Sequence, residues 1–431
     1  MTLLLICFVV FLVFGMPIAF VVGIAGIAFF AATPLLPPEI VVMQIVSQSQ
    51  SFAFLAVPFF IFAGNLMNGS GITSRILSLA RILTRRMYGG TAQTSIMMST
   101  LMGGVSGSAT ADAIMSTRIL GPQMLQSGYS RGYICALNCT SALITATLPP
   151  SLGLIIFGFI GEVSIGRLFA AGIIPGFLMA IFLMTTAALT THARRYEPPA
   201  KDMPRASMKE IFENLKDSIW AFLFPVILIV GIRFGLFTPS ESGAFAVVYA
   251  LVIGKFVYKE LTWVKFKDSL ITAVKDTGAI MLIIAMSGPF SYALSWVQLP
   301  VVLSGFIFGI TDNPQLLTLI MLGFLFITGL VVDSNVNFLL LTPIFLPMVT
   351  SVGMDPVHFG VLMATIVTLG VMTPPVGAAL FAVCGILKCP VEECAKEEIP
   401  FLIAILLMLG ILVFLPDVVL WIPNMIFGST G

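Results

Sequence analysis

GGVSGSATADAIMSTRILGP (residues 103–122) and GLVVDSNVNFLLLTPIFLP (329–347) are the two stretches that decide how this chain folds. Each sets small hydroxyl, amide and carboxylate groups at a turn between two apolar arms. They correspond at a constant offset of 225 residues, Gly104 meeting Gly329 and Pro122 meeting Pro347. The register then holds without gaps over about seventy positions. Gly128 meets Gly353, Leu137 and Thr140 meet Leu362 and Thr365, Pro149-Pro150 meets Pro374-Pro375, and Pro175 meets Pro400. Apolar identities arise easily among few residue types, but glycines and prolines at one offset do not. The chain therefore contains an internal repeat.

The sequence around these stretches says what medium they sit in. Of the 431 residues, 58% are hydrophobic and 10% charged, against roughly 25% charged in a soluble domain. Mean hydropathy is +1.07. A soluble fold, a disordered chain and a nucleic-acid binder are excluded. The apolar runs are long and unbroken, whereas a membrane barrel alternates with period two. An all-α polytopic membrane protein is expected, with room for about ten to fourteen segments at roughly 20 apolar residues per span. The N-terminal MTLLLICFVVFLVFGMP lacks a basic flank and a small-residue cleavage site, and reads as a retained helix. Cys7, Cys135, Cys139, Cys384, Cys389 and Cys394 have no zinc or redox spacing and read as small packing residues.

Orientation follows from the basic residues. With the N-terminus outside, and 93–128 and 315–349 each entering and returning to the same side, segments 75–86, Arg131, 194–216, 255–275 and 388–396 all fall inside. They carry every Lys and Arg except Arg118, Arg167 and Arg233. The LTWVKFKDSL core of 255–276 reads as an amphipathic helix on the membrane surface. The two hairpins then enter from opposite sides, so the repeat is inverted. Inverted repeats with discontinuous helices are the architecture of secondary transporters, with the site near the midplane.

A turn in hydrocarbon frees backbone groups, and persists only when buried in protein or lining a wet cavity. Freed carbonyls with serine and asparagine oxygens are hard ligands suited to Na+. Proline breaks Thr147-Leu148-Pro149-Pro150-Ser151 and Thr373-Pro374-Pro375-Val376 expose further carbonyls. Two Na+ sites are expected. One uses Ser106, Gly107, Ser108 and the chain around Thr147 and Pro149. The other uses Asp333, Ser334, Asn335 and the chain around Met372, Thr373 and Pro374. Half-helix N-termini offer positive dipole ends to an anion. Ser108, Pro150, Ser151, Asn337 and Pro375 are accordingly candidate substrate contacts, together with Asp112 and Arg118. Charges within membrane hairpins are costly and usually functional. For Asp112 and Arg118 a structural ion pair is the alternative, and for Arg118 a contact with a substrate carboxylate.

At these residues the chain resembles the large membrane subunit of a TRAP (tripartite ATP-independent periplasmic) transporter of the DctM type. The resemblance rests on VSGSATAD (105–112), TLPPSLGLIIFG (147–158), SIGRLFAAGIIPG (164–176) and GIRFGLFTPSESGAFAVVYAL (231–251), with the VVDSNVNFLLLTPIFLP and TPPVGAAL runs. It implies a bacterial inner-membrane, Na+-coupled importer of organic acid anions such as sialic acids, C4-dicarboxylates or sugar acids, SIGRLFAAGIIPG leaning toward the sialic-acid branch. It implies a separate small four-helix membrane subunit and a periplasmic substrate-binding protein as partners, and an elevator mechanism. Residues 1–92 would be scaffold and 93–190 transport elements of the first repeat. After a cytoplasmic linker at 191–217, residues 218–298 would be scaffold and arm helices and 299–427 transport elements of the second. Two other classes compete for the same residues. A passive channel would show a continuous pore lined by charged or carbonyl rings. An intramembrane serine protease, to which Gly104-Val105-Ser106-Gly107 is similar, would need a histidine beside Ser106 at depth. His192 and His358 both read as interfacial. No phosphate loop occurs, so no ATP hydrolysis by this chain is expected.

Overall fold

The computed structural model describes residues 2–50, 55–198, 207–299, 301, 302, 305, 309, 311, 313–374 and 377–428. The elements described are helical. The first repeat comprises α1 (Thr2–Val13), α2 (Ile18–Ala31), α3 (Glu39–Gln50), α4 (Ala56–Gly69), α5 (Ile72–Thr84), α6 (Gly90–Met102), α7 (Ala109–Gln126), α8 (Arg131–Thr147), α9 (Leu152–Ile160) and α10 (Ile165–Ala193). The second comprises α11 (Met208–Arg233), α12 (Pro239–Val252), α13 (Trp263–Trp296), α14 (Pro314–Val331), α15 (Ser334–Ser351), α16 (Pro356–Met372), α17 (Ala378–Leu387), α18 (Val391–Phe414) and α19 (Pro416–Phe427). Moved by 225 residues, α7 and α8 coincide with α15 and α16 at both ends, so the repeat read from glycines and prolines is structural.

Among the described residues, seven helices are long and apolar enough to cross a membrane. The α8–α9 pair, bent by 47°, makes an eighth. In such a medium the few polar residues are needed where helices begin, because the first N–H groups of a helix have no internal partner. Side chains of Ser108, Ser130, Ser151, Ser164, Thr238, Thr262, Asn313, Asp333 and Asp355 each accept such an N–H. Thr238 and Glu241 close a reciprocal capping box at the start of α12.

The core is built around the long halves of two broken helices. Every residue from Gly132 to Thr147 and from Val357 to Met372 is buried. Helices α6, α7, α10 and α18 pack on α8, while α14 and α15 pack on α16. Outside this unit, α2, α3 and α4 pack along α13, and α12 along α4.

Contacts sort the charged residues into two ends. Arg75 pairs with Glu260 at 2.7 Å and Arg85 with Glu210 at 2.9 Å. Arg81 donates to Gln123, Arg131 to the Lys388 carbonyl, and Arg194 contacts Glu397. These contacts join all five segments expected on the inside into one basic face. At the other end, Arg167 reaches Asn424 and the Gly428 carbonyl, and Arg233 reaches the Ile426 carbonyl.

One reading is corrected. Residues 263–276 are not a separate helix on the surface but the first turns of α13, which runs unbroken for 34 residues. At about 1.5 Å per residue it is about 50 Å long, well beyond the roughly 30 Å hydrocarbon layer. Its lysine-bearing turns are therefore continuous with a span.

Candidate functional site

Arms α6 and α7 form one helical hairpin, and α14 and α15 the other. The base of the first lies at the basic face, where Arg81 meets Gln123 and the Glu197 carboxylate takes N–H and hydroxyl from Thr91, both at 2.8 Å. The base of the second lies at the opposite end, where Leu346 packs against Gly161. Their tips meet. A cavity of about 50 Å³ between them is lined by Gly107, Ser108 and Thr110 from one tip and Asp333, Ser334 and Asn335 from the other. That is room for a few waters or ions, given that one water needs roughly 10–15 Å³ by this measure.

Local chemistry fixes each tip. Gly107 has φ +63°, and a Cβ there would collide with the Pro150 carbonyl. Its own carbonyl accepts the Leu152 N–H at 3.3 Å, tying the tip to the break between α8 and α9. The Ser108 and Ser151 hydroxyls cap α7 and α9. A second cavity of about 10 Å³ is lined by Ser106, Gly107, Pro150 and surrounding apolar groups. The buried Ser106 Oγ has no hydrogen-bond partner among the described residues. In the other tip Asp333 caps α15 through the Asn335 N–H at 2.9 Å.

The remaining candidates separate. The Thr147 hydroxyl bonds the Leu143 carbonyl at 3.0 Å, and its carbonyl faces Gly172 of α10. Pro149 lines an apolar groove toward α11. Met372 is buried, and Thr373 donates to the Leu369 carbonyl and to buried Glu398 at 3.2 Å. Pro374 is half-buried at the break after α16, and Pro375 lies outside the described residues. Asn337 turns away from the tip cavity, its amide donating to the Val332 and Asp333 carbonyls. Asp112 is fully buried behind the tip, one oxygen accepting from Thr145 at 3.0 Å. Arg118 is exposed on α7, and no ion pair between it and Asp112 appears among the described residues. His358 bonds the Leu412 carbonyl and His192 stacks edge-on to Tyr88, so neither faces Ser106.

A larger crevice of about 460 Å³ opens beside the tips. It contains residues that the motifs did not single out: Asn65 and Asn68 of α4 and Asp276 of α13, facing Ser106, Thr110 and Asn335. The signal available in the sequence was the pair of amides three residues apart in an apolar run. Hairpin one reaches this wall because position 64 is glycine. A Cβ there would stand 3.0 Å from the Ser106 carbonyl oxygen.

Residues 5–418 match the family model described as the DctM component of the tripartite ATP-independent periplasmic transporter. The sialic acid TRAP transporter large permease protein SiaM of Vibrio cholerae is 34% identical, over 96% of each chain. The 2,3-diketo-L-gulonate TRAP transporter large permease protein YiaN of Escherichia coli is 33% identical, over 94% of this chain and 95% of its own. The crystal structure of the Alcanivorax borkumensis YdaH transporter, whose topology is described as unusual, aligns with a TM-score of 0.61 at 14% identity over 88% of each chain, a likeness of fold.

Proposed function

The chain belongs to the DctM family of TRAP transporters, as a large permease in the inner membrane, and from that premise we propose that it is a Na+-coupled importer of an organic acid anion. The binding protein and the small four-helix subunit known for this family would be its partners, the first delivering cargo on the outer side. Na+ is co-transported cargo here, held between hairpin tips by Ser106, Gly107 and Ser108 and by Asp333, Ser334 and Asn335. Such oxygens suit a hard monovalent cation. With Na+ in place, the positive ends of α7, α9 and α15 favour a substrate carboxylate. The tip-carrying unit would then travel past the scaffold of α1–α5 and α11–α13 as an elevator.

The observation that carries this reading is the juxtaposition of the two polar tips around one small cavity. The test is uptake into proteoliposomes holding the chain, its small subunit and the binding protein. An inward Na+ gradient is expected to drive accumulation, and its replacement by K+ to abolish it. Ser106→Ala and Asn335→Ala are expected to raise the Na+ concentration for half-maximal uptake about tenfold, as for loss of one hydrogen-bond-strength ligand. Unchanged Na+ dependence in both well-folded variants would remove the sites.

A further inference from the structure

We propose that the cargo is a polyhydroxylated monocarboxylate, a sugar acid, and that Asn65, Asn68 and Asp276 of the scaffold read its hydroxyl groups. The proposal rests on the transport reading above and specifies its substrate class.

The argument starts from the crevice wall. Asn65 and Asn68 stand three residues apart, so they share one face of α4 with Ile61 and Gly64. Asp276, Ala279, Ile280 and Ile283 form the matching face of α13. Across from them lie Ser106, Ser108 and Thr110 of one tip and Asp333 and Asn335 of the other. The Asn65 amide nitrogen donates to the Ile61 carbonyl at 3.0 Å, which fixes the amide plane against the wall. No lysine, arginine or histidine lines this crevice among the described residues.

That inventory discriminates between acids. One substrate carboxylate has a place, at the helix N-termini of the tips beside bound cation. The second carboxylate of a dianion would have none. It would face Asp276 across the crevice, with no cation to offset the repulsion or the lost hydration. Hydroxyl groups fit the same wall well, because a carboxylate accepts from them and an amide both donates and accepts. A hydroxyl offered to an ionised acceptor makes the stronger, charge-assisted kind of bond. The volume of about 460 Å³ also falls within the range of pockets that enclose ligands larger than a four-carbon acid. The apolar patches Ile61, Ile280 and Ile283 can cover the C–H face of a sugar chain while the polar groups hold its edge.

Because Asn65, Asn68 and Asp276 belong to the scaffold, they meet cargo only when the tips stand at this depth. They act on selection and release, and leave Na+ binding to the tips.

The experiment uses the full chain co-purified with its small subunit, followed by thermal unfolding in NaCl or choline chloride. The probes are D-gluconate, D-galacturonate and N-acetylneuraminate, with succinate as the compact dicarboxylate. At least one sugar acid is expected to raise the melting temperature in NaCl while succinate at the same concentration does not. Asp276→Asn is expected to weaken that sugar acid about tenfold, and Asp276→Glu to restore most of it. The stabilisation by Na+ alone should be unchanged in both, since Asp276 is exposed at the crevice mouth and does not touch the tips' cavity. A succinate shift equal to or larger than every sugar-acid shift overturns the proposal. So does an unaltered sugar-acid affinity in Asp276→Asn. A Na+ response with no response to any sugar acid overturns the substrate class alone. Absence of response to Na+ and to all four acids overturns the transport reading together with it.

Discussion

Gly107 and Gly128 both adopt left-handed backbone, at φ +63° and +87°, yet their surroundings differ. A Cβ at 128 meets nothing within 4 Å, while one at 107 runs into the Pro150 carbonyl. Gly128→Ala should therefore cost only the backbone term, about 1–2 kcal/mol. Gly107→Ala should cost that and also push the tip off the α8–α9 break. Thermal unfolding with and without Na+ separates the two. Gly128→Ala is expected to lose stability equally in both conditions, and Gly107→Ala to lose the Na+-induced rise as well. Equal behaviour of the variants would mean that the tip geometry does not build the ion site. At this scale much of the site was legible. Glycine beside serine at a turn, in an otherwise apolar chain, is a local signal with few other uses. What was not legible was the direction in which a group faces. Asp112 and Asn337 carry the right chemistry, but α8 buries the first against Thr145 and the second turns its amide onto its own hairpin.

The elements were legible where prolines and polar caps mark their ends, and less so where a helix simply continues. The α8–α9 break is written in Pro149-Pro150. The join of residues 263–276 to the rest of α13 has no mark, because charge on a helix surface reads the same whether the helix ends there or continues into a span. Nor does a run of apolar residues say which face meets a neighbour, which is why Asn65, Asn68 and Asp276 emerged only from the packing of α4 against α13. One connection at this scale is open to test. Glu197, in the segment between the repeats, anchors the base of hairpin one. Its carboxylate accepts from the Thr91 N–H, the Thr91 hydroxyl and the Tyr129 phenol, at 2.8, 2.8 and 2.9 Å. Bonds to a charged acceptor are each worth about 1.5–3 kcal/mol. Glu197→Ala should destabilise the chain by a few kcal/mol on that scale, and hydrogen exchange should show residues 89–95 opening first. Protection of that segment unchanged from the parent would mean the linker only tethers the repeats.

For the molecule as a whole, the repeat swaps its coverings. Helix α1, which opens the first repeat, lines an apolar crevice of about 470 Å³ against hairpin two through Leu5, Phe8 and Leu12. Helix α11, which opens the second, lines one of about 310 Å³ against hairpin one through Ala221, Pro225 and Ile229. Each hairpin thus borders the leading helix of the other repeat across loosely filled apolar space. Contacts of this kind carry no directional bonds to break, since dispersion and apolar burial change little when one smooth wall slides along another. The tight contact is at Gly64, against the Ser106 carbonyl. If the tip-carrying unit moves as a body, pinning it at this place should stop transport without touching the ion ligands. The expected experiment replaces the six native cysteines, then introduces Asn65→Cys on α4 and Ala111→Cys on hairpin one, which line the same crevice. A short bis-methanethiosulfonate linker should join them, halt Na+-driven uptake, and release it again on reduction. Each single-cysteine chain treated with the same reagent sets the baseline, since both positions line the cargo crevice, and the block by linkage is read as the loss beyond either baseline. Complete linkage with uptake intact would mean that α4 and hairpin one keep their relation throughout the cycle, and the passage of cargo would then have to proceed by local opening of the tips between fixed walls.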